Sequence, residues 1–146
     1  MEQKKKKNLL STAIMVSVVV IAVNLGTKLF NSKTESTLSE NNTLSERAKI
    51  MNKDCPFVID ENTRLDSVTS LKKTILQNNY TLLNDNLEDI NINVFKDIFK
   101  SEITNHLKTN KETDFFRKNN ATLIYKYFDK KKQFVTDIVI LPEDYE

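Results

Sequence analysis

The chain has 146 residues, room for one domain of ordinary size and an appendage. With 39% hydrophobic and 29% charged side chains it is not a fully disordered chain, and one glycine, two prolines and one cysteine exclude collagen-like repeats, Gly/Pro-rich disorder and a disulfide-stapled miniprotein. The net charge of +2 hides its distribution: removing Lys4, Lys5, Lys6, Lys7 and Glu2 from 22 basic and 20 acidic residues leaves 18 against 19, so the remainder is nearly neutral and points to no nucleic-acid partner.

Residues 1–7 read as a basic cytoplasmic tail. From Asn8 to Thr27 no charge occurs over 20 residues. As a helix this run is about 30 Å long and matches the hydrocarbon core of a bilayer. Lys4 to Lys7 before it, against Lys28 and Lys33 beyond it, predict a single-pass signal anchor in a cytoplasmic membrane, N-terminus inside and the rest outside. A cleavable signal peptide is the rival reading. Ala22-Val23-Asn24 and Asn24-Leu25-Gly26 place Asn where a cleavage site needs a small residue, and no Cys directly follows the run for lipid attachment. Ala22 and Gly26 have the spacing that lets two spans pack closely, the alternative being a lipid-facing helix.

Residues 28–42 are polar with isolated Leu29, Phe30 and Leu38, and read as a flexible linker to a domain over residues 43–146. Thr43-Leu44-Ser45-Glu46 is a capping-box pattern that starts a helix running to about Lys53, and Cys55-Pro56 ends it. Arg64 to Leu71 and Ile75 to Leu83 read as strands joined at Lys72-Lys73, with Leu76, Tyr80 and Leu82 on one face. Asn91 or Asn93 caps an amphipathic helix whose stripe is Phe95, Phe99, Ile103 and Leu107, and a short helix follows around Glu112 to Lys118. Thr122 to Phe128 and Phe134 to Leu141 form a second hairpin across a charged tip, and Pro142 closes it. No glycine lies beyond residue 26, so Asn78-Asn79, Asn84 and Asn119-Asn120 are expected to supply the turns. The order predicts an α+β domain: an antiparallel sheet of about four strands in two hairpins, packed with two or three helices.

The chemistry-bearing residues form no coherent catalytic set. Cys55 and His106 are the only Cys and His, so nucleophilic catalysis has one pairing available; the other readings of Cys55 are a half-buried structural thiol and a disulfide to a second molecule. Two such residues cannot hold structural zinc without added carboxylates, and Asp85 to Asp89 lacks the spacing of a calcium loop, so neither a metal nor a cofactor is expected. Glycine-rich phosphate loops are absent from the sequence. Asp60, Thr63, Arg64 and Asp66 are the candidate site, read as a structural turn held by hydrogen bonds and an ion pair or as an interaction loop. The aromatic residues read as core, and Lys130 to Lys132 as a solvated hairpin tip.

Residues 50–68 have the form Asn52-Lys53, two residues, Pro56, then Asp60, two residues, Thr63-Arg64-Leu65-Asp66. This segment resembles one shared by small uncharacterised bacterial envelope proteins, and the likeness extends through Asn79 to Leu82, Phe116 to Asn120, Tyr125 to Lys130 and Pro142 to Tyr145. The resemblance implies an extracytoplasmic bacterial domain behind a signal peptide or single span, and implies no catalytic residue. Three functions stay open on the sequence. The first is a membrane-anchored interaction domain, an accessory subunit of an envelope assembly. It would be held in the lipid bilayer by residues 8–27, bind an unidentified envelope protein, and could pair with itself through Ala22/Gly26 or Cys55. The others are a periplasmic immunity or inhibitor protein and a hydrolase using Asp60/Asp66 or Cys55/His106.

Overall fold

Thr43 caps the first helix, α1 (Leu44–Asn52): its hydroxyl accepts from the Glu46 N–H at 3.2 Å and the Glu46 carboxylate accepts from the Thr43 N–H at 2.7 Å. A computed structural model describes residues 43–146. The basic tail, the predicted membrane span with Ala22 and Gly26, and the linker lie outside the described residues. Within them no helix is long and apolar enough to cross a membrane.

After α1 the chain forms β1 (Phe57–Val58), β2 (Thr63–Lys72) and β3 (Ile75–Leu82). A 3-10 turn at Leu87–Asp89 leads into α2 (Ile92–Thr109), capped by the Asn91 side chain, which accepts from the Val94 N–H at 3.3 Å. A second 3-10 turn at Lys111–Thr113 runs into α3 (Asp114–Lys118), followed by β4 (Thr122–Phe128), β5 (Phe134–Ile140) and α4 (Pro142–Tyr145). The five strands lie in sequence order, β1-β2-β3-β4-β5.

The expected antiparallel sheet is mixed. β3 and β4 pair in parallel, from Ile75 against Thr122 to Thr81 against Phe128, while the other neighbours are antiparallel. Parallel neighbours need a crossover, and α2 supplies it: eighteen residues of helix cover about 27 Å, close to the length of β3, and carry the chain back to the end where β3 began. The count also differs from the expected four strands and two or three helices. β1 has only two residues, too few to show a period in the sequence. Pro142 opens α4 at its first helical position rather than merely closing β5. Asn78-Asn79, expected as a turn, is the middle of β3, where Asn78 is buried among apolar neighbours of matching period. Asn120 does adopt the left-handed region with φ 46°, as does Lys132 with φ 65°.

Helices and core lie on one face of the sheet. Leu44 and Ala48 of α1 pack over β2 and β3, and α2 packs over β5. Leu65, Val68, Leu76, Leu82, Leu123, Tyr127, Ile138 and Ile140 receive them from the strands. Phe95, Phe99, Ile103 and Leu107 are all buried, so the four-residue stripe is the contact surface of α2. The rings interlock: Phe95 stacks on Phe99 at 4.1 Å, and both meet Tyr127 edge-on at 5.0 and 5.5 Å.

Phe99→Ala should therefore remove a buried ring and leave a cavity, lowering unfolding free energy by about 3–5 kcal/mol. Chemical denaturation of the full chain reads this directly. A loss under about 1 kcal/mol would mean α2 is not held to the sheet through this stripe.

Candidate interaction surface

Of the sequence-predicted residues, Asp60 and Asn62 form the turn between β1 and β2. The Asp60 carboxylate accepts from the Asn62 N–H at 2.7 Å, and Asn62 then bonds outward. Its amide donates to Asp85 at 2.6 Å, and its side-chain oxygen accepts from the Asn84 N–H at 2.9 Å. Burial pushes the Asp60 carboxyl up, against hydrogen bonds from Asn62 and Thr63 that pull it down. Thr63 is buried at the start of β2, and its carbonyl accepts from the Ile59 N–H at 2.9 Å.

Arg64 and Asp66 do meet, with Nε 2.6 Å from Oδ1. Sequence reasoning missed the two residues that complete the cluster. Thr81 donates to Asp66 Oδ2 at 2.5 Å, and Lys132 Nζ lies 3.3 Å from the same oxygen and 2.7 Å from the Thr81 hydroxyl. Burial alone would raise the Asp66 carboxyl, but the bonds from Thr81, Arg64 and Lys132 hold it below its ordinary value. A carboxylate so held is an ion-pair centre and a poor proton donor at neutral pH. Thr81 is legible as the residue opposite Arg64 in β3 once the hairpin register is known, whereas Lys132 arrives only through the topology.

Cys55 and His106 are bound elsewhere. The Cys55 thiol points at the Met51 carbonyl, 3.5 Å away, and burial, helped by Asp54 and Asp66, pushes it up to about 11, away from the thiolate. His106 Nε2 lies 3.2 Å from the Asn110 amide, and burial lowers its ring. Among the described residues no group of His, Cys, Asp or Glu is arranged to hold a metal ion. A shallow open groove of about 480 Å³ outside α2 is lined by Asp97, Lys100, Ser101, Thr104, Asn105, Lys108 and Asp144.

The larger feature is the sheet face turned away from the described helices. The registers align three rows across it: Arg64, Thr81, Phe128 and Phe134; then Ser67, Asn79, Lys126 and Asp137; then Thr69, Gln77, Ile124 and Val139. On β2 and β3 the rows are tied by side-chain bonds, Gln77 to Asn79 and Asn79 to Ser67, both at 2.9 Å. On β4 and β5 the outer two rows turn apolar, while the middle row sets Lys126 opposite Asp137. Phe134 is 49% exposed and Val139 38%, with Phe128 edge-on to Phe134 at 6.1 Å and the Lys126 ammonium over that ring at 5.6 Å. Phe134, expected in the core, is the most exposed aromatic of this face, because the register slips between Tyr127 and Phe128 where β5 begins.

The Asp129 carboxylate fixes the end of this face. Fully buried, it accepts from the N–H groups of Leu87, Lys131 and Gln133 at 3.0, 2.8 and 2.8 Å, joining the β4–β5 tip to the loop before α2. Burial acts to raise this carboxyl, and the three N–H bonds outweigh it.

The family described as a domain of unknown function, DUF8479, matches residues 39–136. The chain belongs to this family. Residues 50–68, with the Asn52 to Asp66 pattern, fall inside the matched region. No curated protein gives a significant match. Among solved structures, the chain is similar to a protein of Pseudomonas aeruginosa thought to be secreted (19% identity, TM-score 0.59, covering 70% of this chain and 89% of that one). It is also similar to EpsS, the pilotin of the Vibrio vulnificus type 2 secretion system (11%, 0.54, 70% and 88%), and to AspS, the type II secretion pilotin of Vibrio cholerae (12%, 0.51, 69% and 87%). At these identities the likeness is one of fold.

Asp129 gives the acid side of the stability curve a testable origin. Its folded value is lower than the unfolded one, near 3.8, so its contribution is complete above that value and is lost as pH falls through the folded one. Asp129→Asn should lower the melting temperature at pH 7 and flatten the fall of the melting temperature below pH 4. Parallel pH profiles for variant and parent would contradict this assignment.

Proposed function

We propose that this protein is a membrane-anchored, extracytoplasmic interaction domain, a non-enzymatic accessory subunit of a bacterial envelope assembly. The carrying observation is the one-sided sheet: the described helices take one face and leave Phe134, Val139, Phe128 and Lys126 on the other. Exposed aromatic and aliphatic side chains such as Phe134 and Val139 are the kind that interaction patches gather, and Lys126 opposite Asp137 forms a charged row between them. The fold supports the reading, since two of the similar structures are pilotins of type II secretion systems. The uncharged run from Asn8 to Thr27 supplies the anchor in this reading. The arrangement of Cys55, His106, Asp60 and Asp66 favours binding over hydrolysis, because the thiol is held protonated and Asp66 is neutralised by cations.

A photo-crosslinker placed at Phe134 or Val139 in the full chain, in native membranes, should give one dominant adduct; one at exposed Lys49 on α1 should not. Phe134→Ser with the probe at Val139 should cut that adduct several-fold without shifting the melting temperature by more than a degree or two. Equal labelling from both faces, or a C-terminal reporter active only in the cytoplasm, would overturn the proposal.

A further inference from the structure

The two ends of the sheet differ in charge. At one end lie the β1–β2 turn, the loop after β3 and the β4–β5 tip, carrying Asp60, Glu61, Asp85, Glu88 and Asp89 beside Lys130 to Lys132. Those lysines are occupied: Lys131 pairs with Glu88, Lys132 with Asp66, and Lys130 donates to the Asn84 carbonyl. At the other end the β2–β3 turn carries Leu71, Lys72 and Lys73. The register slips between Ser70 and Lys72, which leaves Leu71 out of the ladder and 50% exposed. Neither lysine makes an ion pair among the described residues, and both are exposed. Leu141, 38% exposed, lies at the same end, with Glu143 as a nearby exposed acid.

The described chain also enters at this end. Asn52, the last residue of α1, is tied to the backbone of Val68 by bonds to its N–H and carbonyl. Five residues earlier, Arg47 lies over the Phe115 ring at 3.6 Å. Phe115 belongs to α3, which leads into Thr122, whose N–H bonds to the Thr74 carbonyl in the β2–β3 turn at 2.8 Å. The N-terminal half of α1, and Thr43 with it, therefore points toward the turn. If residues 28–42 are a linker, as the proposed anchoring has it, their root-mean-square span is about 20 Å. Reaching the acidic end would need a further 30 Å or so, the length of β2.

We infer that the β2–β3 turn end is a membrane-contact surface: Lys72 and Lys73 meet the headgroups of anionic phospholipids, and Leu71 enters the interface between them. Lysines of this kind keep their ammonium groups at headgroup level while the stems cover apolar surface. The acidic end is repelled, so the same field orients the domain. This inference rests on the membrane anchor proposed above.

The chain contains no Trp, so Leu71→Trp in the full chain is a unique reporter, with Val58→Trp as its counterpart at the acidic end, where Val58 is 55% exposed. Each variant is reconstituted in phosphatidylcholine vesicles with or without phosphatidylglycerol, some carrying brominated lipid as quencher. Flotation of the chain with the vesicles tests the anchor separately. With phosphatidylglycerol present, Leu71→Trp should blue-shift and be quenched by brominated lipid, and Val58→Trp should stay open to aqueous iodide. Lys72→Glu with Lys73→Glu, in the Leu71→Trp background, should lose the quenching; removal of each lysine costs about fivefold in partition of the turn. A floating chain whose Leu71→Trp is as water-exposed as Val58→Trp, or is quenched equally in neutral vesicles, overturns the inference while leaving the anchor intact. A chain that stays in the aqueous fraction overturns both.

Discussion

The parallel pairing of β3 with β4 is the constraint on which the rest of the molecule depends. Two adjacent parallel strands oblige the chain to travel the full length of the sheet between them, and the connection must lie over one face. Here the return journey is α2, whose length matches that of β3. Because α2 carries its apolar stripe toward β5, and α1, the helix that precedes the sheet, packs over β2 and β3, both helices occupy the same face. The opposite face is then free of described helices. The open face is thus a product of topology: Phe134, Val139 and Lys126 stand there because the crossover went to the other side.

The core shows how that topology is held. Tyr127, on the parallel strand β4, lies where Phe95 and Phe99 of the crossover helix meet the sheet edge-on, and Tyr80 of β3 stacks on it at 5.2 Å. Strand pairing and helix docking therefore share one aromatic cluster, so loss of a single ring weakens both. At the α2–α3 corner Arg117 performs the equivalent task with polar groups. Its guanidinium donates to the Leu107 and Asn110 carbonyls at the end of α2 and to Thr113 and Asp114. Carbonyls left unpaired where the helix stops are satisfied, and the chain is aimed into β4.

Local pattern made the long elements legible in the sequence. The Thr43–Glu46 box, the four-residue spacing from Phe95 to Leu107 and the alternation in β3 each concern residues within a turn or two of one another, and each recurs in the structure. Strand direction depends on which hairpins become neighbours, and periodicity is silent about that. The one available clue was the length of α2, since an eighteen-residue helix between two strands returns the chain to its starting end. β1, with two residues, and α4, with four, each span about one period, too little for a repeat to show. The candidate site was legible in part for the same reason: Arg64 and Asp66 are two residues apart, while Lys132 lies 66 positions from Asp66 and reaches it through the sheet.

Strand axis and open face together set the geometry of assembly in the proposed arrangement. The strands run from the basic turn end to the acidic loop end, and the rows of exposed side chains cross them. With the turn end on the bilayer, the strands stand away from the lipid and the open face looks sideways, along the membrane plane. A partner docked on Phe134 and Val139 then sits beside the domain, with its contacts at the height of β4 and β5. Headgroup contact and partner contact use different residues and different directions, so neither need compete with the other. In that arrangement the charge difference between the two ends keeps the domain upright, so the open face stays turned toward neighbours in the membrane plane.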